Sequence, residues 1–100
     1  MEKLLINKDL WDKVSDDNKQ NIEAILKRTG SISEDTLIES SDHFSERENL
    51  IRDAKKRICK AGCDATYHVA EAACKELSGD AETACIIAAS LARDACRDHC

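Results

Sequence analysis

The chain has 100 residues, a net charge of −5, six cysteines, no proline, and one each of Phe, Tyr, Trp and Met. That length suits one small domain, or a short domain with an appendage, whose modest core gains from covalent staples. Seven Lys/Arg against twelve Asp/Glu in residues 1–50, and eight against eight in residues 51–100, place the acidity in the first half and exclude nucleic-acid binding as the main role.

The absence of proline and the wealth of Ala, Lys, Asp and Glu predict an all-α fold. Residues 1–6 form a short apolar opening. Lys3-Leu4-Leu5-Ile6 begins like a signal peptide, but Asn7-Lys8-Asp9 ends the apolar run, so no standard signal peptide is read. Asn7 caps a short helix from Lys8 to Val14 that carries Leu10, Trp11 and Val14. Trp11 reads as the core anchor of this half, with a recognition handle for a processing enzyme or exporter as the alternative. Ser15-Asp16-Asp17 starts the next helix, with acids in its first turn. Ile22, Ile25 and Leu26 make its apolar stripe, Lys27 and Arg28 suit its C-terminus, and Gly30 stops it. Residues Ser31 to Ser41 are polar and Ser-rich, anchored only by Ile32, Leu37 and Ile38. They read as a linker with one helical turn, as a domain boundary and as a cleavage region. Residues 1–41 are thus an acidic helical leader or covering segment plus linker, and residues 42–100 a second unit. In that unit a long helix runs from Asp42 to Leu77 and a last helix from Ala81 to His99. The longest apolar run, around Cys85 to Ala89, is far too short to span a membrane.

All six cysteines lie in this second unit, spaced CX3C–X10–C–X10–C–X10–CX3C from Cys59 to Cys100. The pattern is a palindrome about a point between Gly79 and Asp80. A helix turns about 100° per residue, so steps of four and eleven return to nearly the same face. The cysteines of each arm therefore share one face of an antiparallel hairpin. Gly79 would close the first arm and Asp80 cap the second. Of the 15 connectivities open to six cysteines, one keeps every pair level: Cys59–Cys100, Cys63–Cys96 and Cys74–Cys85. Gly62, Thr66, Ala70 and Ala73 on one arm, and Ala88, Ala89 and Ala92 on the other, line this seam. Disulfides need Cα atoms about 5.5 Å apart, closer than the usual 8–10 Å between helix axes, and small residues permit that approach. Each bridge alone would contribute about 3–4 kcal/mol by loop entropy, and nested bridges add incompletely. Three bridges imply an oxidising compartment.

A metal is the chemical alternative. Cys59, Cys63, Cys96 and Cys100 meet at the open end of the hairpin and could form a tetrahedral thiolate site for zinc or copper(I), with His99 nearby. The Cys74/Cys85 pair fits a bridge better than a metal. No CXXC, Ser–His–Asp set, phosphate loop or HExxH occurs, so neither an enzyme nor a cofactor is expected. His68 falls opposite the seam as a surface residue, His43 at a helix boundary, and Tyr67 beside the seam as its cover. Asp94 and Asp98 are surface charges beside Arg93 and Arg97, and Lys55-Lys56-Arg57 with Lys60 is a solvated basic face. A second apolar stripe turns away from the seam: Ile51, Ile58, Ala65, Val69 and Ala72 on one arm, and Ala84, Ile87, Leu91 and Ala95 on the other. Either residues 4–26 fold back to cover it as a four-helix bundle, or it meets a protein target or a membrane surface.

Cys59-Lys60-Ala61-Gly62-Cys63 and Cys96-Arg97-Asp98-His99-Cys100 resemble the twin CX3C pattern of the plant α-hairpinins and of the small Tim chaperones of mitochondria. The former are antimicrobial or protease-inhibitory peptides. Nested bridges join two antiparallel helices in both families. The resemblance covers residues 59–100, with a longer interval between the motifs and Cys74/Cys85 as an added rung. The layout also resembles a bacteriocin or modified-peptide precursor: an acidic helical leader, a polar junction and a cysteine-rich core. These resemblances imply a non-enzymatic, secreted antimicrobial or toxin-like precursor. Its residues 1–41 would meet processing or export machinery, and its route out would be other than a standard signal peptide. An α-hairpin inhibitor or chaperone-like binding module, and a cytoplasmic thiolate zinc/copper protein with reduced cysteines, are the alternatives. Intact mass decides the redox question: three bridges make the native chain about six hydrogens lighter than its reduced form and refractory to alkylation until reduction.

Overall fold

The computed structural model describes residues 3–41 and 60–98. Two strands and four helices follow one another: β1 (Lys3–Asn7), α1 (Lys8–Trp11), α2 (Asp16–Thr29), β2 (Leu37–Ser41), α3 (Lys60–Cys74) and α4 (Gly79–Asp98). The fold is mostly helical, and the expectation of an all-α chain is corrected by the strand pair.

α2 follows its sequence signals closely. The Ser15 hydroxyl accepts a hydrogen bond from the Asn18 N–H at 3.2 Å and caps the first turn, where Asp16 and Asp17 face the positive helix end. Gly30 ends the helix with φ of 85°. Its N–H donates to the Lys27 carbonyl, and the Ser31 N–H reaches back to the Leu26 carbonyl at 2.9 Å, which together form a Schellman cap. Ile22, Ile25 and Leu26 are buried as expected.

α1 is shorter than its pattern predicted. The Asn7 side chain caps it by accepting the Asp9 N–H at 2.8 Å. After Trp11 the chain tightens: the Lys13 N–H donates to the Leu10 carbonyl and the Val14 N–H to the Trp11 carbonyl. These i→i+3 bonds turn Val14 into the core while Ser15 is free to open α2.

The apolar opening is a strand. β1 and β2 pair in parallel, with Leu4 beside Ile38 and Leu5 beside Glu39. Leu4, Ile6 and Ile38 point to the core, and Lys3 meets Glu39 across the outer face at 3.5 Å. A parallel pair needs a crossover between its strands, and α1 and α2 provide it. Within Ser31–Ser41 the expected helical turn is corrected to a strand, because Leu37–Ser41 forms β2. Thr36 is fully enclosed, its hydroxyl 2.8 Å from that of Ser33 and accepting the Ser33 N–H at 3.2 Å. These bonds satisfy a buried polar group and fix the turn into β2.

The helical hairpin is present over its described part. The expected beginning of the long helix, with His43, Ile51, Ile58 and Cys59, lies outside the described residues, as do His99 and Cys100. α3 ends at Cys74 rather than Leu77, because the Glu76 N–H turns back to the Ala73 carbonyl and the Leu77 N–H to the Cys74 carbonyl. Gly79, at φ of 61°, opens α4 instead of closing α3, which places Asp80 inside the first turn rather than at its cap.

α4 is the central element. It packs against α3 on one side and against β1, α1 and α2 on the other. Leu4, Ile6, Trp11, Val14, Ile22 and Leu26 of the N-terminal half join Ala84, Ala88, Leu91 and Ala95 of α4 in one core. Leu4→Ala should therefore cost about 2–5 kcal/mol. In a denaturant melt followed by helical circular dichroism, the loss should appear as an earlier single transition. Helices that melt unchanged in that variant would show the strand pair to be energetically separate.

Candidate functional site

α3 and α4 run antiparallel, and two disulfides join them. Cys63–Cys96 spans 5.9 Å and Cys74–Cys85 spans 5.5 Å between Cα atoms. Both pairs match the level rungs of the palindrome, and both are compatible with an oxidising compartment. Cys59 and Cys100 lie outside the described residues. Ala70, Ala88, Ala89 and Ala92 are almost wholly buried along the seam. Having only a methyl at these positions lets the backbones reach bridging distance.

The four-thiolate alternative would use Cys63 and Cys96, which are bonded to each other here. Such a centre would first require reduction of that bridge. Among the described residues no group of three or more His, Cys, Asp or Glu side chains is arranged to hold a metal. No described helix is long and apolar enough to cross a membrane.

A groove of about 420 Å³ opens beside the Cys63–Cys96 rung. Gly62, Cys63, Ala65, Thr66 and Tyr67 of α3 form one wall, so Ala65 borders the groove and does not turn away from the seam as expected. Ala89, Ala92, Arg93 and Cys96 of α4 form the other, and Gly30 and Ser31 close it from the end of α2. The Schellman cap that ends α2 thus also shapes the groove, because the chain turns away there instead of continuing over the seam. Tyr67 is half-buried and packs against the core beside the seam. The Arg93 guanidinium lies 4.4 Å from its ring centroid, a cation–π contact of about 0.5–1 kcal/mol at such a partly open site. The Tyr67 hydroxyl donates to Glu71 at 3.1 Å, and the Arg93 Nε reaches Asp94 at 3.3 Å. A second cross-hairpin pair, Arg97 with Asp64 at 3.6 Å, stands nearby.

Burial raises the Tyr67 pKa above its ordinary 10.0, and the Glu71 hydrogen bond and negative charge push the same way. Arg93 pulls it down and Asp94 adds a small upward push. A raised phenol pKa stabilises the fold below pH 10, and that contribution fades as pH rises through the folded value.

Sequence reasoning singled out Tyr67 and the cysteines but gave Arg93 only a surface role. The signal was available: the mirror that sets Cys63 level with Cys96 also sets Thr66 opposite Arg93. Gly30 and Ser31 carried no such signal, since their place in the groove depends on how α2 packs on the hairpin.

The outer stripe is divided by the fold. Leu91, Ala84 and Ala95 are buried beneath the N-terminal half, whereas Val69 is 57% and Ile87 36% exposed. Ala65 and Ala72 are exposed beside Val69 on α3. Ile51 and Ile58 lie outside the described residues. His68 is exposed, as its position opposite the seam implied, 4.0 Å from Glu71. Trp11 is buried in the core, with the Lys19 ammonium 5.6 Å from its ring.

No protein-family model, curated protein or solved structure matches the chain. Because Tyr67 is the sole tyrosine, absorbance titration at its phenolate band reads this site alone. It should ionise above pH 10.0, Glu71→Gln should bring the midpoint down and Arg93→Gln should raise it further. A midpoint unmoved by either substitution would break the assigned contacts.

Proposed function

We propose that the chain is a non-enzymatic, exported precursor in which the N-terminal half covers the apolar face of a disulfide-stapled helical hairpin. The hairpin is the effector, an antimicrobial or toxin-like peptide of the bacteriocin kind. One observation carries this reading: the α4 face of Ala84, Leu91 and Ala95 is covered by the N-terminal half. Every cysteine, in contrast, lies from Cys59 onward. A cut between the described elements β2, which ends at Ser41, and α3, which begins at Lys60, would separate the two halves. Such a cut leaves the hairpin cross-linked and the cover held by non-covalent contacts alone. Released, the face of α4 joins Ile87 to present an apolar surface to a membrane or a protein target. Residues 1–41 serve as the segment that processing or export machinery engages.

A second reading has an observation of its own. The groove beside Tyr67 and Arg93 fits a binding module, in which the intact chain holds a partner as an α-hairpin inhibitor or chaperone-like protein does.

A site-specific protease sequence inserted between Ser41 and Lys60 separates the readings. After cleavage and removal of the N-terminal fragment, the oxidised hairpin should permeabilise lipid vesicles or inhibit bacterial growth, and the uncut chain should do neither. Equal inactivity of both against a broad panel, with a partner captured by the uncut chain, would replace the precursor reading with the binding module.

A further inference from the structure

The two described bridges differ in their surroundings. Cys74 and Cys85 are fully enclosed, and neither borders the groove. Cys63 and Cys96 are 3% and 9% exposed, and both form part of the groove wall. At about 420 Å³ the groove exceeds many times the ~30 Å³ that a water molecule occupies in the liquid, so a small reagent has a path to this bond. Arg93 borders the same groove, and a neighbouring cation favours the thiolate that forms when a disulfide opens.

We infer that Cys63–Cys96 is a site of thiol–disulfide exchange with a dithiol reductant, while Cys74–Cys85 is a permanent staple. A thiolate of the reductant attacks one Sγ of the bridge, forms a mixed disulfide and expels the other cysteine as a thiolate. The second thiolate of the reductant then attacks its own sulfur in the mixed disulfide. It closes an internal disulfide in the reductant and frees the remaining cysteine. The reductant loses two electrons, the bridge gains them, and the two protons of the dithiol end on the cysteine thiols. The Cys63–Cys96 rung opens while Cys74–Cys85 next to the turn stays joined. This assignment stands on the groove and on burial, and it holds whether or not the chain is a precursor.

The test uses the full chain under native conditions, with graded dithiothreitol, an iodoacetamide quench and peptide mass mapping. Cys63 and Cys96 should acquire label faster than Cys74 and Cys85 by about tenfold or more, with helical circular dichroism retained, as local access requires. Ala65→Trp, which narrows the groove from an exposed position on α3, should slow labelling of Cys63 and Cys96 without lowering the melting midpoint. Equal labelling rates of the two pairs, or labelling only with loss of the helical signal, would overturn the inference, because both bridges would then open by unfolding. An Ala65→Trp chain that melts normally and labels at an unchanged rate would exclude the groove as the route.

Discussion

Two helices can be bridged at several levels only where their backbones come closer than ordinary side chains allow. The α3–α4 seam meets that requirement with Ala70, Ala88, Ala89 and Ala92, all almost wholly buried. Alanine contributes little apolar area, so this contact would be weak as a purely hydrophobic one. The disulfides compensate by restricting the unfolded chain. Small residues and covalent bridges are therefore one solution: the first makes the second geometrically possible, and the second makes the first energetically sufficient.

The rest of the core follows from what that seam leaves over. α4 meets α3 through one face, and its Ala84, Leu91 and Ala95 still need cover. The larger side chains that the hairpin lacks are supplied by the N-terminal half as Leu4, Ile6, Trp11, Ile22 and Leu26. Along its seam the hairpin carries small residues because its helices must touch there, and the cover carries large ones because it must fill the remaining space.

Much of this was legible in the sequence. The palindrome of cysteines gave the hairpin, its direction and two of its rungs. Ser15, Asp16, Asp17 and Gly30 gave both ends of α2, because capping is a local property of the chain. The strand pair was not legible. Leu4-Leu5-Ile6 is too short to distinguish alternation from a continuous apolar run, and Asn7 immediately signals a helix. Its partner, Leu37-Ile38, sits in a Ser-rich stretch whose local composition reads as a linker. Parallel pairing across two helices is a long-range fact, and neither segment advertises it alone. The groove was half legible for the same reason: the hairpin mirror locates Thr66, Tyr67 and Arg93 near one another, but only tertiary packing brings Gly30 and Ser31 to them.

The order of the elements also governs how the molecule is made. β1, α1, α2 and β2 leave the ribosome before α4. The apolar residues of the N-terminal half must wait until α4 has been made before that partner exists. A product cut short before α4 lacks Cys85 and Cys96 as well, so neither described bridge can form. Such a product carries unsatisfied apolar surface and unpaired thiols, the features that lead incomplete chains to aggregation or degradation. A finished α4, by contrast, emerges with its cover already synthesised. Synthesis from the N-terminus therefore supplies the cover before the α4 face that it shields.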